Sequence, residues 1–401
     1  AKGHGVPEVI YAIYHKSGFI RPVVAVVKSL ASSLSIGTGG SIGREGPIIQ
    51  IGAAFGSALG TWIKMPDRQR VVLIAAGAGG GIAATFNAPL GGFAFAIELM
   101  MVSVSPKALM PVALATGIAT YIGQYFFGVH ASFFVPNMFL PAKHLADFWP
   151  LCFFIPFGVI MGFVGLLFIK AIYKFEDMFE GMPGNYYTRH MLGMLIVGIM
   201  FYLFMKFTGY YYIQGVGYAT IVDVISNVIL DPWFLLLLFA TKLLATCLTL
   251  GSGASGGIFS PSLYMGATLG YFLGIIVKIF FPESFLGPVD FAVVGMACMV
   301  ASTTGAIVCG TIIVLEMTQD YKVVIPMLIA AGLALAIRKY YSNSSIYTMK
   351  LLRRGFLVPE GLQSSLIVQE HAENIMVSLA SVRNKKVDNL KVKHDKLGNI
   401  S

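Results

Sequence analysis

The sequence predicts an all-α membrane protein made of two related halves, each built from tilted and broken helices. Three observations lead there. The first is composition: of 401 residues, 56% are hydrophobic and only 12% charged, with a mean hydropathy of +0.77. Soluble domains carry about a quarter charged residues. The second is the unevenness of the apolar runs, near 21–36, 71–102, 108–128, 148–172, 190–208, 232–250, 264–281, 289–317 and 323–341. A straight span needs about 20 apolar residues, and several of these runs are shorter or hold Gly or Pro. Broken helices survive in a bilayer only where protein or a water-filled cavity covers the freed backbone. The short alternating segments of a β-barrel are missing. The third is repetition. Gly43, Pro47, Gly52, Gly56 and Gly60 fall on Gly257, Pro261, Gly266, Gly270 and Gly274 at an offset of 214.

Two more landmarks extend the repeat. Gly3-His4-Gly5-Val6-Pro7 has an echo at Gln214-Gly215-Val216-Gly217, about 210 residues on. Ala88, Gly92 and Glu98 fall on Ala306, Gly310 and Glu316 at an offset of 218. Together they set repeat 1 at about 1–128 and repeat 2 at about 190–341, within a membrane domain covering 1–355. A binding site at the interface of such repeats is a common transporter plan. Whether the halves are parallel or inverted is open at this level.

Taken in order, residues 3–7 form a glycine-flanked turn ahead of a short helical stretch ending near Lys16. The run 21–36 feeds a glycine-rich loop, 37–43. That loop is no Walker A motif, because it ends Gly43-Arg44-Glu45 where Gly-Lys-Ser/Thr is needed, and a carboxylate would repel phosphate. A helix follows, with Pro47 in its first turn, where the missing N–H would lack a helical partner anyway. Its small residues every four positions allow close backbone approach. Thr85–Gly92 then leads into Phe93–Met100, as Ala306–Gly310 leads into Thr311–Met317. Residues 129–148 and 175–189 read as longer loops outside the membrane. After the last span, residues 356–401 turn polar and charged, a soluble tail too short for a domain of its own.

The net charge of +9 does not imply nucleic acid. Lys64, Arg68 and Arg70, Lys170 and Lys174, and Lys350, Arg353 and Arg354 cluster at span ends, as topology signals and headgroup anchors do. Lys242 is the exception inside a span, expected near a mouth or beside an acid. Cys152, Cys247, Cys298 and Cys309 stand singly, so neither a metal nor a cofactor is expected. No HExxH or His–carboxylate cluster suggests an enzyme.

The chemistry lies at the two repeated helix starts. Helix N-termini preceded by open glycine backbone attract anions. Neutral amides can replace an anion's hydration without trapping it, and transport needs binding weak enough for exit. Glu45, a carboxylate at one of these starts, either complements the helix dipole or competes with the anion for its seat and leaves when protonated. Charged groups inside membranes mark function by default. Glu98 and Glu316 either bridge helices or, for Glu98, relay protons.

On GHGVP, GREGP, GGIFSP and Tyr347, in that order, the chain resembles the CLC family of chloride channels and chloride/proton antiporters, of the prokaryotic type, from residue 3 to about 355. The resemblance implies inverted repeats and a homodimer with a separate pore in each subunit. It also implies a bacterial inner membrane, a cytoplasmic tail, and chloride or other small anions and protons as partners. Its motifs put His4, Gly5, Arg44, Gly46, Ile258, Phe259 and Tyr347 around the anion, with the amides of Ile258 and Phe259 and the Tyr347 hydroxyl donating. Glu45 becomes the external gate, and Glu45 and Glu98 the proton-relay candidates. Four departures stand out. His4 replaces the family's serine, Leu99 its internal proton-relay glutamate, and Ile307 a proline of the second repeat. The fourth is at the ends: a helix or two is expected ahead of residue 3, and His371–Met376 resembles the opening of a CBS domain cut short. Leu99 makes channel-like or weakly proton-coupled chloride transport the leading expectation. A strict chloride/proton antiporter is the alternative, and a fluoride-selective relative the second.

Overall fold

The computed structural model describes residues 3–102, 104–128, 133 and 151–359. Repeat 1 supplies α1 (Val6–His15), α2 (Val23–Gly37), α3 (Glu45–Trp62), α4 (Asp67–Phe86), α5 (Pro89–Phe95) and α6 (Pro106–Phe127). α5 runs on into a π turn, Ala96–Met100. Then come α7 (Phe154–Gly181), α8 (Tyr186–Thr208), α9 (Tyr218–Ile225), α10 (Pro232–Gly251) and α11 (Phe259–Phe280). α12 (Pro288–Thr304), α13 (Ile307–Thr318), α14 (Val324–Tyr341) and α15 (Thr348–Arg353) complete the described chain. The expected tail, its CBS-like stretch and nearly all of the loop 129–148 lie outside the described residues.

Among the described residues, six helices are long and apolar enough to cross a membrane: α4, α7, α8, α10, α11, and α14 with the 3₁₀ turn before it. The runs 71–102 and 289–317, expected as single spans, are each two helices. Asn87 ends α4 in the left-handed region at φ 55°, and Pro89 starts α5. Gly305 ends α12 at φ 87° in the equivalent place. A left-handed residue stops a helix by turning its last carbonyls onto capping N–H groups. Both breaks are therefore local in origin. The apolar side chains of α8, such as Leu195, Ile199 and Tyr202, point outward, as a lipid-facing helix requires, whereas α12 is almost entirely buried.

The repeats meet with two-fold symmetry. Gly52 of α3 faces the backbone of Gly77 on α4, and Gly266 of α11 faces that of Gly295 on α12; a methyl group on any of the four would collide with the opposite main chain. Glu98 accepts N–H bonds from Cys309 at 2.8 Å and Val308 at 3.4 Å, at the start of α13. Glu316 on α13 returns the contact, accepting from Leu90 at 3.0 Å and Gly91 at 2.6 Å at the start of α5. Each carboxylate thus satisfies orphan amides on the other repeat's helix. Gly43 and Gly257 exchange two backbone hydrogen bonds, at 2.8 and 2.6 Å, where the motif meets its own image.

Candidate anion site

The Gly43–Gly257 bridge brings the starts of α3 and α11 together, with Glu45 and Phe259 as their first helical residues. First-turn amides have no partner within their own helix, so two partially positive ends converge. The loop before α1 joins them: Gly3 N–H donates to the Ala254 carbonyl at 3.1 Å, and Gly46 packs under the His4 carbonyl. Gly257 has no room for a side chain. A Cβ there would stand 2.7 Å from the Gly46 nitrogen and 3.3 Å from the Glu45 carboxylate.

Glu45 is fully buried. Its Oε1 accepts from the Tyr218 hydroxyl at 2.8 Å and from the Ser260 hydroxyl in the first turn of α11. Tyr218 and Ser260 are themselves 3.1 Å apart. The other oxygen, Oε2, has no hydrogen-bond partner and rests against the paired glycines. The carboxylate therefore reaches out of its own helix and sits on the start of the other.

His4 and Tyr347 lie together on another flank, ring centres 6.3 Å apart, both buried. Among the described residues neither ring nitrogen of His4 has a partner. The backbone beside Tyr347 is pinned from two sides. Ile346 N–H donates to the Thr303 carbonyl at 2.9 Å, and the Ile346 carbonyl accepts from the Tyr173 hydroxyl. A narrow cavity of about 20 Å³ opens next to Tyr347, lined also by Glu98, Leu99, Thr304 and Ser345. Gly5 caps α1 at φ 80°. Arg44 stands apart from this buried group, exposed, with its guanidinium 5.8 Å from the centre of the Tyr218 ring.

A family profile described as "Voltage gated chloride channel" matches residues 1–339. The chain belongs to this CLC family. It is 33% identical over 363 residues to "H(+)/Cl(-) exchange transporter ClcA" of Vibrio cholerae serotype O1, covering 88% of this chain and 74% of that one. A chloride channel protein described as ClcB-like, from Ralstonia nicotianae, is 30% identical over 357 residues, covering 87% and 80%. Among solved structures, a slow cyanobacterial Cl⁻/H⁺ antiporter superposes with a TM-score of 0.78 at 28% identity, covering 88% of this chain and 81% of its own. A CLC-type fluoride/proton antiporter does so at 0.67 and 25% identity, covering 85% and 82%.

Two residues of this CLC site escaped the sequence reading, Tyr218 and the contact made by Ser260. Tyr218 directly follows the Gln214–Gly217 echo, so it opens α9 as Val6 opens α1. That position was the available signal. Lys242 sharpens another expectation. It is wholly buried and within electrostatic reach of Glu45, but among the described residues it forms no ion pair; its ammonium donates to the carbonyls of Ile213 at 3.1 Å and Gly215 at 2.7 Å. Open glycine turns leave carbonyls that need donors, and a lysine stem is long enough to reach them.

Proposed function

We propose that this protein moves chloride, or another small anion, across the membrane in exchange for protons, with Glu45 as the group both must pass. One observation carries the reading: the Glu45 carboxylate rests on the first turn of α11. An anion seeking the amides of that turn finds a negative charge already beside them. Protonation removes that charge and frees the seat, so one carboxyl serves as gate and as proton carrier. Ile258 and Phe259 amides, the Tyr347 hydroxyl and His4 complete the anion's surroundings in this reading, while Gly5 and Gly46 give the backbone room to approach. Arg44 acts from the exposed side as an attracting charge. The family's homodimer in a bacterial inner membrane, with residues 1–355 as the transport domain, belongs to the same proposal.

Relatives named for H⁺/Cl⁻ exchange support this over the channel-like expectation. The channel-like reading keeps one observation of its own: Leu99 lines the cavity beside Tyr347, and neighbouring Glu98 is engaged by the amides of α13. The test is reconstitution into liposomes with chloride and proton movement recorded together, and fluoride as a second anion. Uphill proton movement at a fixed ratio to the anion is the expected result. Chloride flux without protons would establish the channel-like alternative, and no anion flux would overturn both.

A further inference from the structure

Two lysines lie wholly inside the protein, and they occupy equivalent places. Lys28 on α2 and Lys242 on α10 are 214 residues apart, the offset that relates Gly43 to Gly257. Neither is more than 1% exposed. Lys28 donates to the Gly3 carbonyl at 2.7 Å, and Lys242 to the Gly215 carbonyl at 2.7 Å. Gly3 and Gly215 are equivalent too. Both have positive φ, and each stands two residues before a glycine at φ 80° that caps the next helix, Gly5 for α1 and Gly217 for α9.

Burying an ammonium is strongly unfavourable unless it is well hydrogen-bonded. Among the described residues neither lysine forms an ion pair, and both are spent on loop carbonyls. Both carbonyls belong to positive-φ turns, and a long stem with several donors reaches them from the neighbouring helix. Facing carbonyl dipoles, the ammonium is screened and does not become a deep trap for the permeating anion.

What the two turns carry differs. The turn held by Lys28 bears His4. The turn held by Lys242 runs into Tyr218, whose hydroxyl donates to Glu45 at 2.8 Å. We propose that Lys28 and Lys242 are positioning residues, a matched pair of latches inherited by both repeats. One aims His4 at the anion, and the other aims Tyr218 at the gate. The assignment of jobs rests on the anion-transport reading above; the latches themselves rest on geometry alone. The charged and titratable groups around Glu45 are Tyr218, Arg44, Lys242 and Tyr347, and those around His4 are Lys28, Lys350 and Arg354.

The experiment compares Lys28→Met, Lys242→Met, their Arg counterparts and Tyr218→Phe in the full chain. In liposomes, Lys242→Met should move the pH of half-maximal anion flux upward by about one unit, because Glu45 loses both a nearby cation and an ordered donor. Its half-saturating chloride should change less than about twofold. Lys28→Met should do the reverse, raising half-saturating chloride about threefold with the pH midpoint in place. Tyr218→Phe should reproduce the donor's part of the Lys242→Met shift and add nothing to it in the double variant, and the Arg variants should restore most of each parameter. A purely structural role would lower maximal flux and move neither midpoint, which overturns the proposal. Hydrogen exchange provides a readout that needs no transport: protection should fall around residues 3–6 only in Lys28→Met and around 213–218 only in Lys242→Met. Unchanged protection overturns the latches whatever the flux shows, whereas absent flux in the native chain overturns the transport reading alone. Should a Met variant fail to yield folded protein, Lys→Gln, which keeps donors without the charge, takes the same measurements, with the same outcomes deciding.

Discussion

The two helix starts at the centre of the molecule share a backbone and part in their side chains. Gly43 and Gly257 pair, and Pro47 and Pro261 sit in matching first turns, yet the aligned first helical residues are Glu45 and Phe259. Phe259 packs its ring 5.2 Å from that of Phe86, and Glu45 reaches across to Ser260. The same contrast recurs at His4, whose equivalent is Val216. Matched positions build the scaffold, in the glycine contacts, the lysine-held turns and the exchanged caps of Glu98 and Glu316. Mismatched positions bring the chemistry. A symmetric pore would hold an anion and have no means of deciding when.

The largest effect should come from erasing the mismatch at Glu45. Glu45→Gln keeps the size and the acceptor for Tyr218 but cannot become charged. Anion flux in liposomes is expected to lose most of its pH dependence and to exceed native flux by about tenfold or more at high pH, where the native carboxylate holds the seat. Unchanged pH dependence would remove the gate from Glu45.

A middle-sized effect should come from breaking a match. Glu98→Ala and Glu316→Ala each strip two amides of a charged acceptor, and charge-assisted bonds contribute about 1.5–3 kcal/mol each. Part of that is recovered by water, so losses of about 1–3 kcal/mol, similar for both, are expected from thermal unfolding in detergent. Equal losses with proton coupling retained would make both glutamates caps. Proton movement abolished in Glu98→Ala alone would split the pair and assign Glu98 to the relay.

Much of this was legible in the chain itself. Glycines and prolines carry their conformational meaning locally, so the duplication and the helix starts could be read from spacing, and the family likeness from the motifs GHGVP, GREGP and GGIFSP. The split of 71–102 into two helices could have been read from Asn87 and Pro89 but was masked by continuous hydrophobicity. Long-range contacts were harder. Tyr218 and Glu45 are 173 residues apart, and no local periodicity brings a hydroxyl to a carboxylate. Glu98 and Glu316 were matched to each other in the sequence, but the partner of each is the other repeat's helix start, which only the fold reveals. Lys28 sat unnoticed in an apolar run although the offset of 214 places it on Lys242.

The smallest expected effect concerns His4, the second mismatch. Replacing it with valine, the residue at the equivalent place, removes a buried ring whose two nitrogens have no partner among the described residues. An unpartnered buried polar group costs about 1–3 kcal/mol, and an anion accepting from the ring N–H would recover some of that on binding. His4→Val should therefore weaken anion binding by about threefold, a fraction of a full hydrogen bond because the anion keeps its other donors. His4→Ser, which retains a hydroxyl, should lose less. The comparison is best made in the Glu45→Gln background, by calorimetric anion binding against pH, so that the gate does not contribute. A hydrogen-bond donor predicts profiles for His4 and His4→Val that run parallel, offset by the lost contact. If the ring instead carries a proton when the anion binds, affinity in the native His4 background should fall as pH rises through a range below an imidazole's ordinary one, because burial and the nearby Lys350 and Lys28 disfavour the charged ring. Coincident profiles would confine His4 to the turn, and the chemical difference between the two halves would then rest on Glu45 alone.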